Sequence, residues 1–371
     1  MKKLFIAVAM IALAFSSVAQ AELQISGNVT TMVGYQYDSA NAAATNAAGG
    51  LTQGDLGEAA GAKTSHYTTI VDQAELDVEN EFGENIMARI DVDFIDLGTP
   101  SASAFLLEQA YVTLNLGVGN GMEFMVGKFN APLGLESVDR HENVFSTYTP
   151  GYIYLNPKQV MGLKFYYEFN DNWNFDLGIL DSMQAVNANN SAYPSGVLRV
   201  GAKWGEESHL SYVNLGAGFG PEHNAGSSGV SQNKYYDLYG NLWGNFAAGD
   251  YWDVGFEFIY RMSQTGAAAG DSQSAMAGQL YTVYQPSDVW TIQLRAATHY
   301  EKDPDQGWGA STTGGTWGAF DGWVYSGTLG GTYQITDGAQ MKIEYRFDMA
   351  SASGAADANY HTGVAEFAYS F

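Results

Sequence analysis

The chain has 371 residues, with 40 acidic against 16 basic side chains and a formal net charge of −24. That balance excludes nucleic acid as a partner, because a phosphate backbone calls for a basic surface. With no cysteine, a disulfide framework, thiol chemistry, a Cys-ligated metal and a lipoprotein anchor are excluded as well.

The chain opens with Lys2 and Lys3, an apolar run from Leu4 to Phe15, and Ala19-Gln20-Ala21. This order predicts a secretory signal over residues 1–21, read by the Sec pathway, and a mature chain starting at Glu22. Removing its two lysines leaves 14 basic against 40 acidic residues, a net charge of −26. The apolar run is too short for a stable membrane-spanning helix, and no second long run follows. Charged residues make up only 15% of the chain, against roughly 25% in soluble domains, while aromatics reach 14% and glycines number 44. Alternating strands that face lipid on one side and water on the other fit such a composition.

Alternation then recurs along the whole chain. Leu23–Tyr37 predicts a first strand, followed by an Ala/Gly/Asn-rich loop to about Lys63. His66–Phe82 turns at Gly83-Glu84-Asn85 into Ile86–Phe94, and a loop near Gly98–Ser103 leads to Leu106–Leu116. Asn120-Gly121 turns into Met122–Asn130, and the long segment Ala131–Pro157 breaks the rhythm. Met161–Phe169 turns at Asp171-Asn172 into Trp173–Ile179, and residues 187–190 form the next loop. Leu198–Trp204 turns at Gly205–Ser208 into His209–Phe219, followed by a loop over Gly220–Gln232. Asn233–Phe246 turns at Gly249-Asp250 into Trp252–Arg261, with a loop at Gly266–Gln273. A twelfth strand ends at Gln285, and Pro286-Ser287-Asp288 turns into Trp290–His299. Asp303–Asp321 is a Gly/Thr-rich loop. Gly322–Gln334 turns at Thr336-Asp337-Gly338 into Met341–Asp348, and Ser351–Ala356 leads to the closing strand Tyr360–Phe371.

About sixteen strands result, joined alternately by short turns and longer loops. The predicted fold class is all-β: over residues 22–371, a transmembrane antiparallel β-barrel with short periplasmic turns, long extracellular loops and both termini on the periplasmic side. Strand-end aromatics (Tyr35, Tyr37, Trp173, Trp204, Trp252, Tyr260, Trp290 and Trp323) predict interfacial girdles. Phe367, Tyr369 and Phe371 share one face of the last strand. This ending resembles the C-terminal signature of bacterial outer-membrane proteins, which implies recognition by the barrel-assembly machinery and a home among outer-membrane lipid and lipopolysaccharide.

A barrel of this width leaves an aqueous channel, so function turns on what narrows it. The segment Ala131–Pro157 is the candidate constriction loop, with Glu136, Asp139, Arg140, His141 and Glu142 as candidate constriction residues. Tyr148, Tyr152 and Tyr154 follow them and are candidates to stack on sugar rings. Inward-facing acidic residues concentrate early (Glu75, Asp77, Asp91, Asp93) and basic ones later (Arg199, Lys203, Arg261, Arg295, Arg346), which predicts opposed walls across a narrow eyelet. An acidic excess predicts a modest cation preference, screened over about 8–10 Å at ordinary salt.

The stretch Gly127-Lys128-Phe129-Asn130-Ala131-Pro132-Leu133-Gly134-Leu135-Glu136 resembles the G-x-F-x-x-P-x-G-x-E stretch of phosphate-selective porins and OmpL-like β-barrel porins. Asn143, Ser146, Pro157, Gly162, Tyr167, Asn170-Asp171 and Gly178-Ile179 fall in an order similar to the OmpL-like group. The resemblance implies an outer-membrane porin that passes ions and small hydrophilic solutes, with a homotrimer and a sugar- or anion-specific channel as open alternatives. Phosphate selectivity is not implied, since the loop lacks a dense lysine and arginine ladder. An outer-membrane enzyme and an adhesin are the rivals. No catalytic motif, HExxH or EF-hand spacing occurs, so no catalytic residue, metal or cofactor is expected. His141 beside Asp139 and Glu142 is the sole histidine–carboxylate cluster that stands out, and it reads as a solvated loop histidine.

Overall fold

A computed structural model describes residues 22–38, 65–95, 104–183, 193–206, 209–223, 234–265, 272–302, 322–352 and 358–371. The expected signal over 1–21 and most of the expected loops at 39–64, 98–103, 187–190, 224–232, 266–271, 303–321 and 353–356 lie outside the described residues. Sixteen strands are present: β1 Glu22–Asp38, β2 Ser65–Phe82, β3 Ile86–Ile95, β4 Ala104–Asn115, β5 Met122–Asn130, β6 Gln159–Asn170, β7 Trp173–Leu180, β8 Ser195–Trp204, β9 Ser211–His223, β10 Lys234–Ala247, β11 Trp252–Thr265, β12 Ser272–Ser287, β13 Trp290–Lys302, β14 Gly322–Thr336, β15 Ala339–Ala352 and β16 Ala358–Ser370. Each pairs antiparallel with its chain neighbours, and β16 pairs with β1, so the sheet closes without an edge.

The two-residue period decides which way each side chain points. On β15, Ile343 and Tyr345 are 57% and 50% exposed toward the lipid side, while Lys342, Glu344 and Arg346 between them are 3% or less exposed inside. Register shifts interrupt this alternation, and two of them fall in mid-strand. Thr30 pairs with Gln73 and Thr31 with Val71, which leaves Asp72 as an extra residue in β2. Asp91 pairs with Gln109 and Val92 with Leu107, which leaves Glu108 as an extra residue in β4. A bulge re-aims side chains, and here it turns the doublets Asp72-Gln73 and Glu108-Gln109 toward the lumen.

The closing strand locks onto β1 at its last residue. Gly27 N donates to Phe371 O at 3.2 Å, and Phe371 N donates to Gly27 O at 3.0 Å. A Cβ at Gly27 would stand 2.3 Å from the Glu75 carbonyl oxygen and 3.0 Å from the Phe371 ring, so the seam leaves no room for a side chain there. Phe367, Tyr369 and Phe371 are exposed on the outer face. Trp173, Trp204, Trp252 and Trp290 lie at the short-turn end of the barrel, with Trp252 stacked on Tyr284 and Trp290 tilted against Tyr333. Trp323 marks the opposite end, half-buried between Tyr300 and Tyr325.

Boundaries differ from expectation at several strand ends, those of β9, β12 and β6 among them. β9 continues past Phe219, because Gly220 and Pro221 still pair with Asp237 and Tyr236. β12 runs to Ser287, which pairs with Trp290 across an irregularity, so the turn shifts to Asp288 and Val289. Pro286 is tolerated at this strand end, where the ladder is already interrupted. β6 begins at Gln159, two residues earlier than predicted.

Candidate pore constriction

The segment between β5 and β6 crosses the lumen. Its roots are clamped by Ala131 N donating to Lys158 O at 2.7 Å. Leu133 and Leu155 then bury in an apolar cluster with Phe129, Val160, Trp243 and Ile259, which covers the inner faces of β9 to β12 near the loop's base. Gly134 takes φ +106, a conformation that glycine adopts freely and L-residues resist. This bend aims Leu135 N at Glu257 Oε1 on β11, 3.1 Å away. Residues Arg140–Glu142 form one 3-10 turn. Pro150–Tyr154 forms a short helix, α1, whose start is fixed by Pro150 and by Tyr152 N donating to Thr149 Oγ1 at 3.2 Å.

From there the loop is fastened to the far wall. Arg295 on β13 pairs with Glu136 at 3.1 Å and donates to Thr147 O at 2.7 Å. Glu344 on β15 accepts from Thr147 Oγ1 at 2.6 Å and from Thr147 N at 3.2 Å. Arg346 donates to Tyr148 O and Lys342 to Asn143 O, both at 2.7 Å. Gln340 donates to His141 O at 2.7 Å. Toward β2, Arg140 pairs with Asp72 and lies over the Tyr148 ring at 4.4 Å. Gln73 Nε2 donates to Asp139 Oδ1 at 3.1 Å.

Burial pushes the Glu136 carboxyl above the ordinary range, against the pull of the Arg295 guanidinium and the Thr149 hydroxyl. Burial is also the largest cause of the rise at Asp139 and at the Tyr152 phenol. Within the loop, Glu136 is enclosed against Arg295, its side chain 8% exposed. Tyr148 and Tyr152 stack on one another at 4.4 Å, Tyr152 is 3% exposed, and Tyr154 lies half-buried against His299. Glu142 is the loop carboxylate that stays closer to water, accepting from Ser137 Oγ at 2.7 Å.

The expected wall residues divide into two sets. Arg295 and Arg346 bury beneath the loop, and Arg261 pairs with Asp237 in the wall. Arg199 and Lys203 lie toward the short-turn end of β8, away from Val160, Leu180 and Val197, which bury with the loop's Leu133 and Leu155. There Lys203 meets Glu168 at 3.1 Å, Lys164 meets Asp176 at 3.9 Å, and Arg199 bridges Asp176 and Asn214. Arg89 binds Asp91 at 2.8 Å, with Asp77 and Glu79 close by. The side chains of Arg89, Lys203 and Glu168 are 29%, 34% and 33% exposed inside the barrel. Glu75 and Asp93 lie deeper on β2 and β3 and share the Gln73 amide. Sequence reasoning missed Asp72, Gln73, Glu257 and Asn156 as loop anchors. The signal for the first two was a polar doublet, Asp72-Gln73, in an otherwise alternating strand.

A closed sixteen-strand barrel with a loop fastened across its lumen defines the porin class of outer-membrane channel. Among the solved structures that share this fold, three are similar over nearly the whole chain. The outer membrane channel DcaP of Acinetobacter baumannii has a TM-score of 0.68 at 14% identity, covering 96% of this chain and 99% of that one. An anion-selective porin from Comamonas acidovorans has 0.65 at 13%, covering 95% and 100%. The trimer form of OmpT from Vibrio cholerae has 0.60 at 15%, covering 94% and 99%. A search of curated proteins found no sequence match. The family model "Putative beta-barrel porin-2, OmpL-like" matches residues 20–371, and the chain belongs to that family.

Proposed function

We propose that this outer-membrane porin forms a water-filled channel for passive diffusion of ions and small hydrophilic solutes, with a modest cation preference. The observation that carries the reading is the short-turn part of β3 and β6 to β8, where Arg89, Lys203 and Glu168 are 29%, 34% and 33% exposed, while the loop is held by β13 and β15. Asp77, Glu79, Glu168 and Asp253 are partly buried and Glu142 is exposed, beside the partly exposed Arg89, Lys164, Arg199 and Lys203. A recess of about 360 Å³ between the loop and β9 to β13, lined in part by Tyr212, Tyr281, Gln279 and Asp253, supports a second reading in which a small solute dwells there. The reading assigns no catalytic residue. Sec export, assembly through Phe367, Tyr369 and Phe371, contact with lipopolysaccharide, and a homotrimer like the trimer form of OmpT complete it.

Planar-bilayer recording tests the channel: discrete, ohmic openings by the refolded chain are expected, and a silent bilayer would contradict them. Liposome swelling separates the two readings, since a general channel admits solutes by size and a specific one saturates with a single solute. Deleting Phe371 removes the hydrogen-bond pair to Gly27 and is expected to lower the amount in the outer membrane severalfold, with unitary conductance unchanged in the molecules that assemble.

A further inference from the structure

Three carboxylates meet where the loop touches the early strands. Glu75 on β2, Glu108 on β4 and Asp139 in the loop each bring one oxygen within 4.8 Å of the other two, and all three residues are buried. Among the described residues, no arginine or lysine forms an ion pair with any of them: Arg140 is engaged with Asp72 and Arg89 with Asp91. Glu108 is 2% exposed, its carboxylate oxygens accept no hydrogen bond of ordinary geometry, and the Gln159 amide lies in reach. Asn28, also 2% exposed, donates Nδ2 to Glu75 Oε2 at 2.6 Å and leaves its own Oδ1 without a donor. The Gln73 amide is the neutral donor that Glu75 and Asp139 share. Buried carboxylates gathered this way call for a positive charge, because an unpaired buried ion is strongly disfavoured.

We propose that Glu75, Glu108 and Asp139 bind a divalent cation of the calcium class, which ties the constriction loop to β2 and β4. The donors are hard oxygens. Calcium accepts them in irregular geometry at roughly 2.3–2.6 Å, so oxygens up to 4.8 Å apart can share it, whereas magnesium demands near-octahedral contacts at roughly 2.0–2.1 Å. Asn28 Oδ1, the other end of the amide that donates to Glu75, has no donor of its own, and water completes the shell. The bulge at Glu108 gains a purpose in this arrangement: in plain alternation Glu108 and Gln109 could not both face the lumen.

The test is calcium chloride titration by calorimetry of the refolded, chelator-treated chain in detergent free of lipopolysaccharide. Expected is saturable binding of a single ion, weakened about tenfold or more by Glu108→Gln and by Asp139→Asn, and unchanged by Glu84→Gln in the exposed β2–β3 turn. Heat-modifiable migration shows that each variant is folded, and the two substitutions lie on different elements, so loss of one leaves the other informative. Absence of saturable binding to the unaltered chain, with the trio neutralised by protons instead, overturns the proposal. Equal affinity in both ligand variants overturns it too.

Discussion

The walls formed by β13 to β15 and by β6 to β8 carry the same sequence pattern and hold their charges in different states. On β15, Lys342, Glu344 and Arg346 are 3% or less exposed, and each one grips the loop backbone. On β8, Arg199 and Lys203 keep 16% and 34% of their side chains exposed, and their partners are other wall residues. Strand alternation places a charge inside the barrel in both cases. What lies against the strand decides whether that charge holds a loop or meets a solute.

The largest break in this contrast is expected from Arg295→Met. It strips Glu136 of its cation and Thr147 of its donor, and losing one partner of a buried pair costs about 3–5 kcal/mol. The loop should detach, seen as larger and noisier unitary conductance and as protease cleavage within 131–157 that the unaltered chain resists. Adding Glu136→Leu should restore part of the loss. Gly134→Ala should act less strongly: a residue forced into a sparsely populated conformation costs about 1–3 kcal/mol, and its Cβ would stand 2.6 Å from Asn156 Nδ2. A smaller rise in conductance with an intact barrel is expected. Lys203→Gln should do least to the structure, because an exposed pair contributes about 0.2–1 kcal/mol. Its reversal potential should still move toward cations at low salt, while Glu142→Gln should move it toward anions. Both shifts should shrink as salt shortens the screening length.

Much of the fold was legible because barrel strands write their orientation into every second residue. β5 fell where alternation and turns put it, while β12 runs past Pro286 and β9 past Gly220. Those extensions depend on pairing with Trp290 and with β10, which local residues do not encode. The loop was legible as a break in rhythm, and Pro132 and Gly134 marked where it leaves the wall. The fate of its charges was not. Glu136 lies 159 positions from Arg295 in the chain, so nothing local distinguishes it from Glu142, which stays nearer water. Glu75, Glu108 and Asp139 likewise come together through barrel closure and a bulge, at spacings that match no ligand motif.

The most direct test of the division between a gripping wall and a conducting wall is the zero-current potential across a planar bilayer under a potassium chloride gradient. The unaltered chain is compared with Lys164→Gln/Arg199→Gln/Lys203→Gln, which removes the basic charges of β6 to β8, keeps Glu168 and Asp176, and leaves the loop anchors on β13 and β15 in place. Expected is a modest cation preference that grows clearly in the triple variant, with the loop still resistant to protease. An unchanged potential in the triple variant, or a preference for anions in the unaltered chain that the triple variant keeps, would contradict the assignment of β6 to β8 as the wall that solutes meet.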